Sequence, residues 1–554
     1  MTVPTGTPGT PGTTDGPGAS GASGRPPRIR HNDYGVLAPP EPGTWRPRLS
    51  VSVVIAAYGH QDKLDLTLAA LAAQSYPSHL TEVIVVDDGT EPALRLPDIV
   101  PENTVLLTTE PGRRGRSDAR NTGLAHATGD VVHWLDADMV TFHDEVEEHM
   151  RWHHLADHLV VMGYVRYVEH RPGSPTPAEV HAAVSAGAAD KLFDEERSEP
   201  HAWIVELAER TDGLRTAGDT AFRVHVTNAA SVNARLLREA GPLDTALVLG
   251  EDTELGYRLA QAGAAFVLAP GARSRHLGLS MMMRDKERIR RYNHAYVPGF
   301  IPHMRWLRAH PRRQWPVPYA EVVVEAAGAS YEDVRATVDG VLAGSLHDLV
   351  VTLVGPWDAA REDRRNPLHS THLDLLLLRG LYRGEPRVRF AATVPPTAAP
   401  APYRLVCPPG WVPGPETLRR LVEHAAQHGH GLVSVALDEG EDAVLAARLE
   451  HTGAFARAAL VREPGEPLDT AVHDVSGTHW MDGASLGFLP AAEAEPPKRG
   501  RTDDPALTRE MARLRADNAR LTETLAARGG SGAPAAVEPT IPSPRGRWFR
   551  TSRR

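Results

Sequence analysis

Two strand patterns in the first third of the chain run directly into paired aspartates. Val51–Ala57 (VSVVIAA) is a continuous apolar run, the pattern of a strand buried on both faces. Residues 82–86 (EVIVV) repeat it and lead into Asp87-Asp88-Gly89, while residues 130–135 (DVVHWL) lead into Asp136-Ala137-Asp138. Between the first two runs Leu64, Leu68 and Leu71 fall at helical spacing, and Pro77 stops that helix. Strand–helix–strand order of this kind implies a right-handed, mostly parallel α/β unit. Ligands of such sheets bind at the carboxyl ends of the strands, where both acidic pairs fall.

Composition narrows the class. The 554 residues carry 60 Lys+Arg against 70 Asp+Glu, a net charge of −10, so no chain-wide basic field exists to hold nucleic acid. A single cysteine, Cys407, excludes a disulfide framework and a Cys-rich zinc site. No run approaches ~18 consecutive apolar residues, and the start lacks the basic-then-apolar layout of a secretory leader. The expectation is a soluble, cytoplasmic protein.

Composition also divides the chain. Residues 1–47 open with a stretch made almost wholly of Gly, Pro, Ser and Thr and read as a disordered tail, with order beginning near Trp45. Residues 48–315 hold the α/β unit above. Residues 316–492 repeat the strand–helix–strand order in runs 321–327, 348–354 and 403–411. There Gly355-Pro356-Trp357 and Pro408-Pro409-Gly410 replace the acidic pairs. Two readings fit: a duplicated domain that has lost its acidic chemistry, or an unrelated α/β domain. Residues 503–528 place Leu507, Met511, Leu514, Asn518, Leu521 and Leu525 at alternating spacings of four and three. They form either a short coiled coil that pairs two chains or a helix packed on its own domain. Residues 529–554 form a basic disordered tail.

Clustered carboxylates at strand ends repel one another unless a hard divalent cation, Mg²⁺ or Mn²⁺, neutralises them, and such a metal usually brings a diphosphate. Glu251-Asp252 adds a third acidic pair at a helix start, and His276 offers an imidazole. Arg113, Arg114, Arg116 and Arg120 lie between the clusters as candidates to meet the diphosphate. His149 and His153 stand at i, i+4 without the glutamate of a HExxH motif, so His143, His149, His153, His154 and His158 are expected as exposed residues of an amphipathic helix. Residues 273–315 interleave many Lys and Arg with Tyr292, Tyr296, Phe300 and Trp306. That segment is either a helix closing the domain against its excess acids or a peripheral contact with the inner membrane face.

The runs VSVVIAAYGHQDKLDLTLAALAAQSYPSHLTEVIVVDDGT, RRGRSDARNTGLAHATGDVVHWLDADM and GEDTELGYRLAQAG together resemble the family 2 glycosyltransferases of GT-A fold, in order, over about 51–280. The resemblance implies a Rossmann-like nucleotide-diphospho-sugar transferase sheet. It further implies that Ala57, Tyr58, Asp87 and Asp88 hold the uracil and ribose of a UDP-sugar, with Arg120 and Asp136 beside the diphosphate. Asp136 and Asp138 match the family's DXD pair, with Asp138 the ligand of Mn²⁺ or Mg²⁺ and His276 joining that metal. Asp252 matches the catalytic base, with Glu251 beside it. The Gln-X-X-Arg-Trp motif and membrane helices of processive synthases are not seen, so the implied enzyme adds one sugar or a few to an unidentified glycan, lipid-linked or small-molecule acceptor. The competing function is a nucleotide-sugar-binding protein without turnover.

Overall fold

A computed structural model describes residues 26–494, apart from Ser174, 309–312, 362–364 and 441–442, together with Arg513 and Arg520. The tail and coiled-coil expectations for 1–25, 503–528 and 529–554 otherwise lie outside the described residues. The described residues up to Ala494 make one compact unit.

Two sheets fill this unit. The strands β1 (Val51–Ala57), β2 (Thr81–Asp87), β3 (Thr104–Thr108), β4 (Val131–Asp136), β5 (Met139–Thr141), β6 (Leu159–Val168), β7 (Glu199–Pro200), β8 (Ala229–Asn233) and β9 (Ala265–Leu277) form the first. Their order is β3-β2-β1-β4-β8-β6-β9-β5, with β7 on β6. The four leading strands are parallel. Next, β8 runs antiparallel to both β4 and β6, whereas β6 and β9 are parallel. Register puts Ala57 beside Asp87 and Ala56 beside Asp136, so the acidic strand ends share one rim. The strands are continuous and apolar because both faces are covered: Val53, Ile55 and Val85 pack in one cluster, Val54, Val86 and Trp134 in another.

The second sheet comprises β10 (Ala320–Glu325), β11 (Leu349–Val354), β12 (Val388–Ala391), β13 (Tyr403–Val406), β15 (Leu432–Glu439), β16 (Val444–His451) and β17 (Thr478–Asp482). A separate pair is made by β14 (Trp411–Pro413) and β18 (Phe488–Pro490). The order β12-β11-β10-β13-β16-β15-β17 matches the first seven strands along the path of the first sheet, with no counterpart of β5 or β7. So do the senses: parallel through β13, antiparallel on either side of β16, parallel at β15–β17. The carboxyl rim differs, since β11 is followed by Gly355 and Pro356, and β13 by Cys407 and two prolines.

The halves meet through side chains rather than a linker. Arg305 and Arg308, from the basic segment, each reach Asp348 Oδ2 at 2.8 Å. Arg457, on the helix Thr452–Val461, donates to the carbonyl of Gly263 at 2.9 Å and to that of Ala264.

Order begins well before Trp45. Ile29 is wholly buried, and Asn32 donates to the carbonyls of Leu214 and Phe266 at 2.9 Å while accepting from Phe266 N at 2.8 Å. The low-complexity argument applies only to the first two dozen residues. The following RIRHNDYGVL carries apolar and amide side chains that find partners. The histidines also depart from expectation: His149 and His153 are 1% exposed and His158 2%. The helix Glu145–His153 turns its Glu145–His149–His153 stripe inward, where Ser231 on β8 accepts and donates hydrogen bonds. Among the described residues no helix is long and apolar enough to cross a membrane.

Candidate active site

Asp136, Asp138 and His276 bring one ligand atom each within 4.8 Å of one another at the end of β4 and β9. Pairing of Met139 with His276 between β5 and β9 folds the histidine back over the acidic turn. His276 Nδ1 donates to the carbonyl of Gly278 at 2.8 Å, so its Nε2 turns to Asp138 Oδ1 at 3.3 Å. The other Asp138 oxygen, Oδ2, faces Lys63 Nζ at 3.2 Å. Two carboxylates and an imidazole nitrogen, half-open to solvent, are a donor set suited to Mn²⁺ or Mg²⁺ with phosphate oxygens completing the shell.

Arg120 connects this group to the third acidic pair. Buried in the helix Arg116–His126, it donates to Asp136 Oδ1 at 2.9 Å and to Glu251 Oε1 at 3.3 Å. Glu251 and Asp252 open the helix Glu251–Gln261 behind Gly250. Gly250 has φ +81°, and a Cβ there would lie 2.7 Å from Val297, so only glycine makes this turn. Burial, then the neighbouring Asp252 charge, raises the Glu251 carboxyl to about 7 against the pull of Arg120 and Arg116. Asp252 is less buried, and its Oδ1 accepts from Thr253 N at 2.7 Å.

Beside the rim lies a cleft of about 420 Å³ lined by Ala57, Tyr58, Asp88, Arg116, Val248 and Met281, among others. The Tyr58 ring is 68% exposed over it. Asp88 accepts from Gly115 N at 2.8 Å, which fixes the carboxylate at the cleft floor; Gly115 reaches it with φ +113°. Asp87 does not join them. It is buried, and its two oxygens accept from Thr90 N and Leu94 N, each at 2.9 Å, so it shapes the loop beneath the cleft.

Sequence reasoning missed Lys63, Tyr167 and His201. The Tyr167 ring lies tilted against His276, with centroids 4.8 Å apart, and hydrogen-bonds His201 at 2.5 Å; Asn228 donates to its hydroxyl at 3.1 Å. Burial, then the nearby His276, pushes His201 down to about 4, with Asp252 opposing. His201 thus lies within the electrostatic reach of both the Asp138–His276 group and Asp252. None of the three belongs to a spaced motif; only the sheet brings them together.

Residues 52–212 match the family description Glycosyl transferase family 2. An uncharacterized glycosyltransferase of Bacillus subtilis, YfnE, is 28% identical over 297 residues, covering 49% of this chain and 75% of that protein. The pre-mycofactocin glycosyltransferase of Mycobacterium tuberculosis is 26% identical over 242 residues, 43% of this chain and 45% of its own length. The amylovoran biosynthesis glycosyltransferase AmsB of Erwinia amylovora is 36% identical over 110 residues, so the chain spans only 35% of that relative. Among solved structures, a Pyrobaculum calidifontis mannosyltransferase in complex with GDP-Man and Mn²⁺ aligns at TM-score 0.30 and 21% identity, covering 46% of this chain and 63% of that one; nothing below rests on it. The acidic ends of β2 and β4 lie within the region that matches this family. Over residues 52–212 the chain is thus similar to the family 2 glycosyltransferases.

Proposed function

We propose that this glycosyltransferase moves a sugar from a UDP-sugar to an acceptor hydroxyl with inversion at the anomeric carbon, one or a few residues at a time, and requires Mn²⁺ or Mg²⁺. The observation that carries the reading is the meeting of Asp136, Asp138 and His276 within 4.8 Å, joined through Arg120 to the Glu251–Asp252 turn.

Asp138 and His276 hold the metal, and Asp136, steadied by Arg120, takes the ribose-diphosphate side. A bound divalent ion supplies Lewis-acid stabilisation of the charge that develops on the departing diphosphate. Tyr58 lays an exposed ring against the nucleobase, and Asp88 offers a carboxylate to the ribose hydroxyls. Asp252 accepts the proton of the attacking hydroxyl from the face opposite the diphosphate, which gives inversion. Glu251, its carboxyl raised to about 7 by burial and by Asp252, carries less than a full negative charge beside Asp252 near neutral pH. The matching strand order of the second sheet supports its being a copy of the first that lacks the acidic rim.

A panel of nucleotide sugars assayed with Mn²⁺ tests this. Wild type should hydrolyse its donor slowly without acceptor. Asp138→Ala should lose metal-dependent donor binding, and Asp252→Asn should bind donor but transfer at least about a hundredfold more slowly, the scale expected for loss of a general base. Equal, undetectable turnover by wild type and Asp252→Asn across donors and acceptors would refute the transferase mechanism and leave binding alone.

A further inference from the structure

Under the sheet, away from the cleft, three ligand types meet in the core. His133 on β4 and His149 on the helix Glu145–His153 each bring Nε2 to 3.2 Å from the same oxygen, Glu145 Oε1. The two imidazole rings lie 4.5 Å apart, and all three residues are 1% exposed or less. Their ligand atoms all fall within 4.8 Å of one another.

Hydrogen bonds on the far side of each ring decide which nitrogen faces inward. His133 Nδ1 lies 3.2 Å from the carbonyl of Ala230, which only accepts, so Nδ1 carries the hydrogen and Nε2 turns a lone pair towards Glu145. His149 Nδ1 and His153 Nε2 both lie 2.8 Å from Ser231 Oγ. A hydroxyl has one hydrogen, so Ser231 accepts from one of these rings and donates to the other. With His149 Nδ1 as the donor, a second lone pair falls at His149 Nε2, and in that tautomer two imine nitrogens and a carboxylate confront one another as acceptors. His133 Nε2, His149 Nε2 and both Glu145 oxygens are buried without a hydrogen-bond partner. Acceptors gathered in a dry core with no donor are strongly unfavourable unless a cation lies among them.

We propose that His133, Glu145 and His149 bind a transition-metal ion, best matched by Zn²⁺, as a structural centre separate from the Asp136–Asp138–His276 group. Ligands about 2.0–2.1 Å from a tetrahedral ion stand about 3.3 Å apart, close to the separations here. Two imidazoles with one carboxylate select zinc over magnesium or calcium. Glu145 Oε2 or an enclosed water completes the shell. The Ala230 carbonyl and Ser231 hydroxyl orient the two rings, the usual role of groups just outside a metal's ligands.

The test uses the full chain carrying Asp138→Ala, which removes the rim group. Expressed with added Zn²⁺ and washed with a weak chelator, it should retain about one zinc per chain by elemental analysis. Refolded with Co²⁺ alone it should show the visible absorption of a tetrahedral site. His149→Gln in that background should lose the metal and the cobalt spectrum while keeping its circular dichroism. If His149→Gln does not fold, X-ray absorption at the zinc edge of the Asp138→Ala chain decides: a shell with two imidazole nitrogens supports the assignment, and one of oxygens alone overturns it. A chain that retains no zinc and takes up neither Zn²⁺ nor Co²⁺ overturns it as well, leaving a shared proton to hold the cluster together.

Discussion

Lys63 Nζ lies 3.2 Å from Asp138 Oδ2, on the side of the carboxylate opposite the oxygen that faces His276. Lys63 also donates to the carbonyl of Leu277 at the end of β9, so the ammonium is anchored and not free to swing away. A fixed positive charge beside the carboxylate proposed to hold the metal relieves acid–acid repulsion and at the same time competes with a divalent ion.

Lys63→Met should therefore tighten the binding of Mn²⁺ alone. The pair is partly exposed, and such an ion pair is worth about 1 kcal/mol or less, so the gain is at most about fivefold. Free Mn²⁺ measured by electron paramagnetic resonance reads it directly. Weaker binding in the variant would show that the ammonium's main effect is to hold Asp138 in its coordinating position.

Glu251 makes stability depend on pH. Its folded-state value of about 7 lies above the ordinary 4.5, because burial and Asp252 outweigh Arg120 and Arg116. A carboxyl raised on folding contributes stability that is fully present below about pH 4.5 and lost as pH rises through about 7. Over that window the loss approaches about 1.4 kcal/mol per pH unit. Urea midpoints from pH 5 to 8 should show wild type losing ground to Glu251→Gln as pH rises. A gap that stays constant would mean that Arg120 keeps Glu251 ionised throughout.

Much of the first sheet is legible in the chain because its signals are local. Val51–Ala57 carries its burial in its own composition, and register alone then delivers Asp88 and Asp136 to one rim. Asp138 and His276 fall together although 138 residues separate them, and only the order of motifs foretold it. Asp87 shows the limit: beside Asp88 in sequence, it points into the loop and is consumed by Thr90 N and Leu94 N. The inward histidine stripe was illegible for another reason. A polar face on a helix reads as solvent-facing unless the partner across the core is known, and Ser231 comes from a strand nearly 80 residues further on. Ordering of residues 26–44 likewise depends on carbonyls supplied by Leu214 and Phe266.

Arg120 is the one side chain that touches both acidic groups, so its removal should cost stability as well as activity. Arg120→Ala leaves Glu251 buried beside Asp252 without its closest cation, and breaking a buried pair from one side costs about 3–5 kcal/mol. Arg120→Lys keeps the charge, but a point ammonium cannot reach Asp136 and Glu251 as the planar fork does, so it should fall between wild type and alanine. Chemical denaturation of the three chains ranks them; an alanine variant as stable as wild type would show that Glu251 is neutral without Arg120.

Arg457 couples the second sheet to the helix Glu251–Gln261 and to the N-terminal arm. Its guanidinium donates to the carbonyls of Gly263 and Ala264, just beyond that helix, and to that of His31. One side chain rooted in Thr452–Val461 thus bridges helix and arm, in addition to the bonds of Asn32. Arg457→Ala orphans these carbonyls, each worth about 1–3 kcal/mol when buried and unpaired, though they do not add in full. Limited proteolysis of the variant should cut first within residues 26–47, before either sheet, and thermal unfolding should begin earlier than in wild type. Because the far end of the same helix carries Asp252, donor turnover should fall further than the loss of folded protein accounts for. If turnover falls only in step with the folded fraction, the second sheet supports the helix without setting the position of its acidic end.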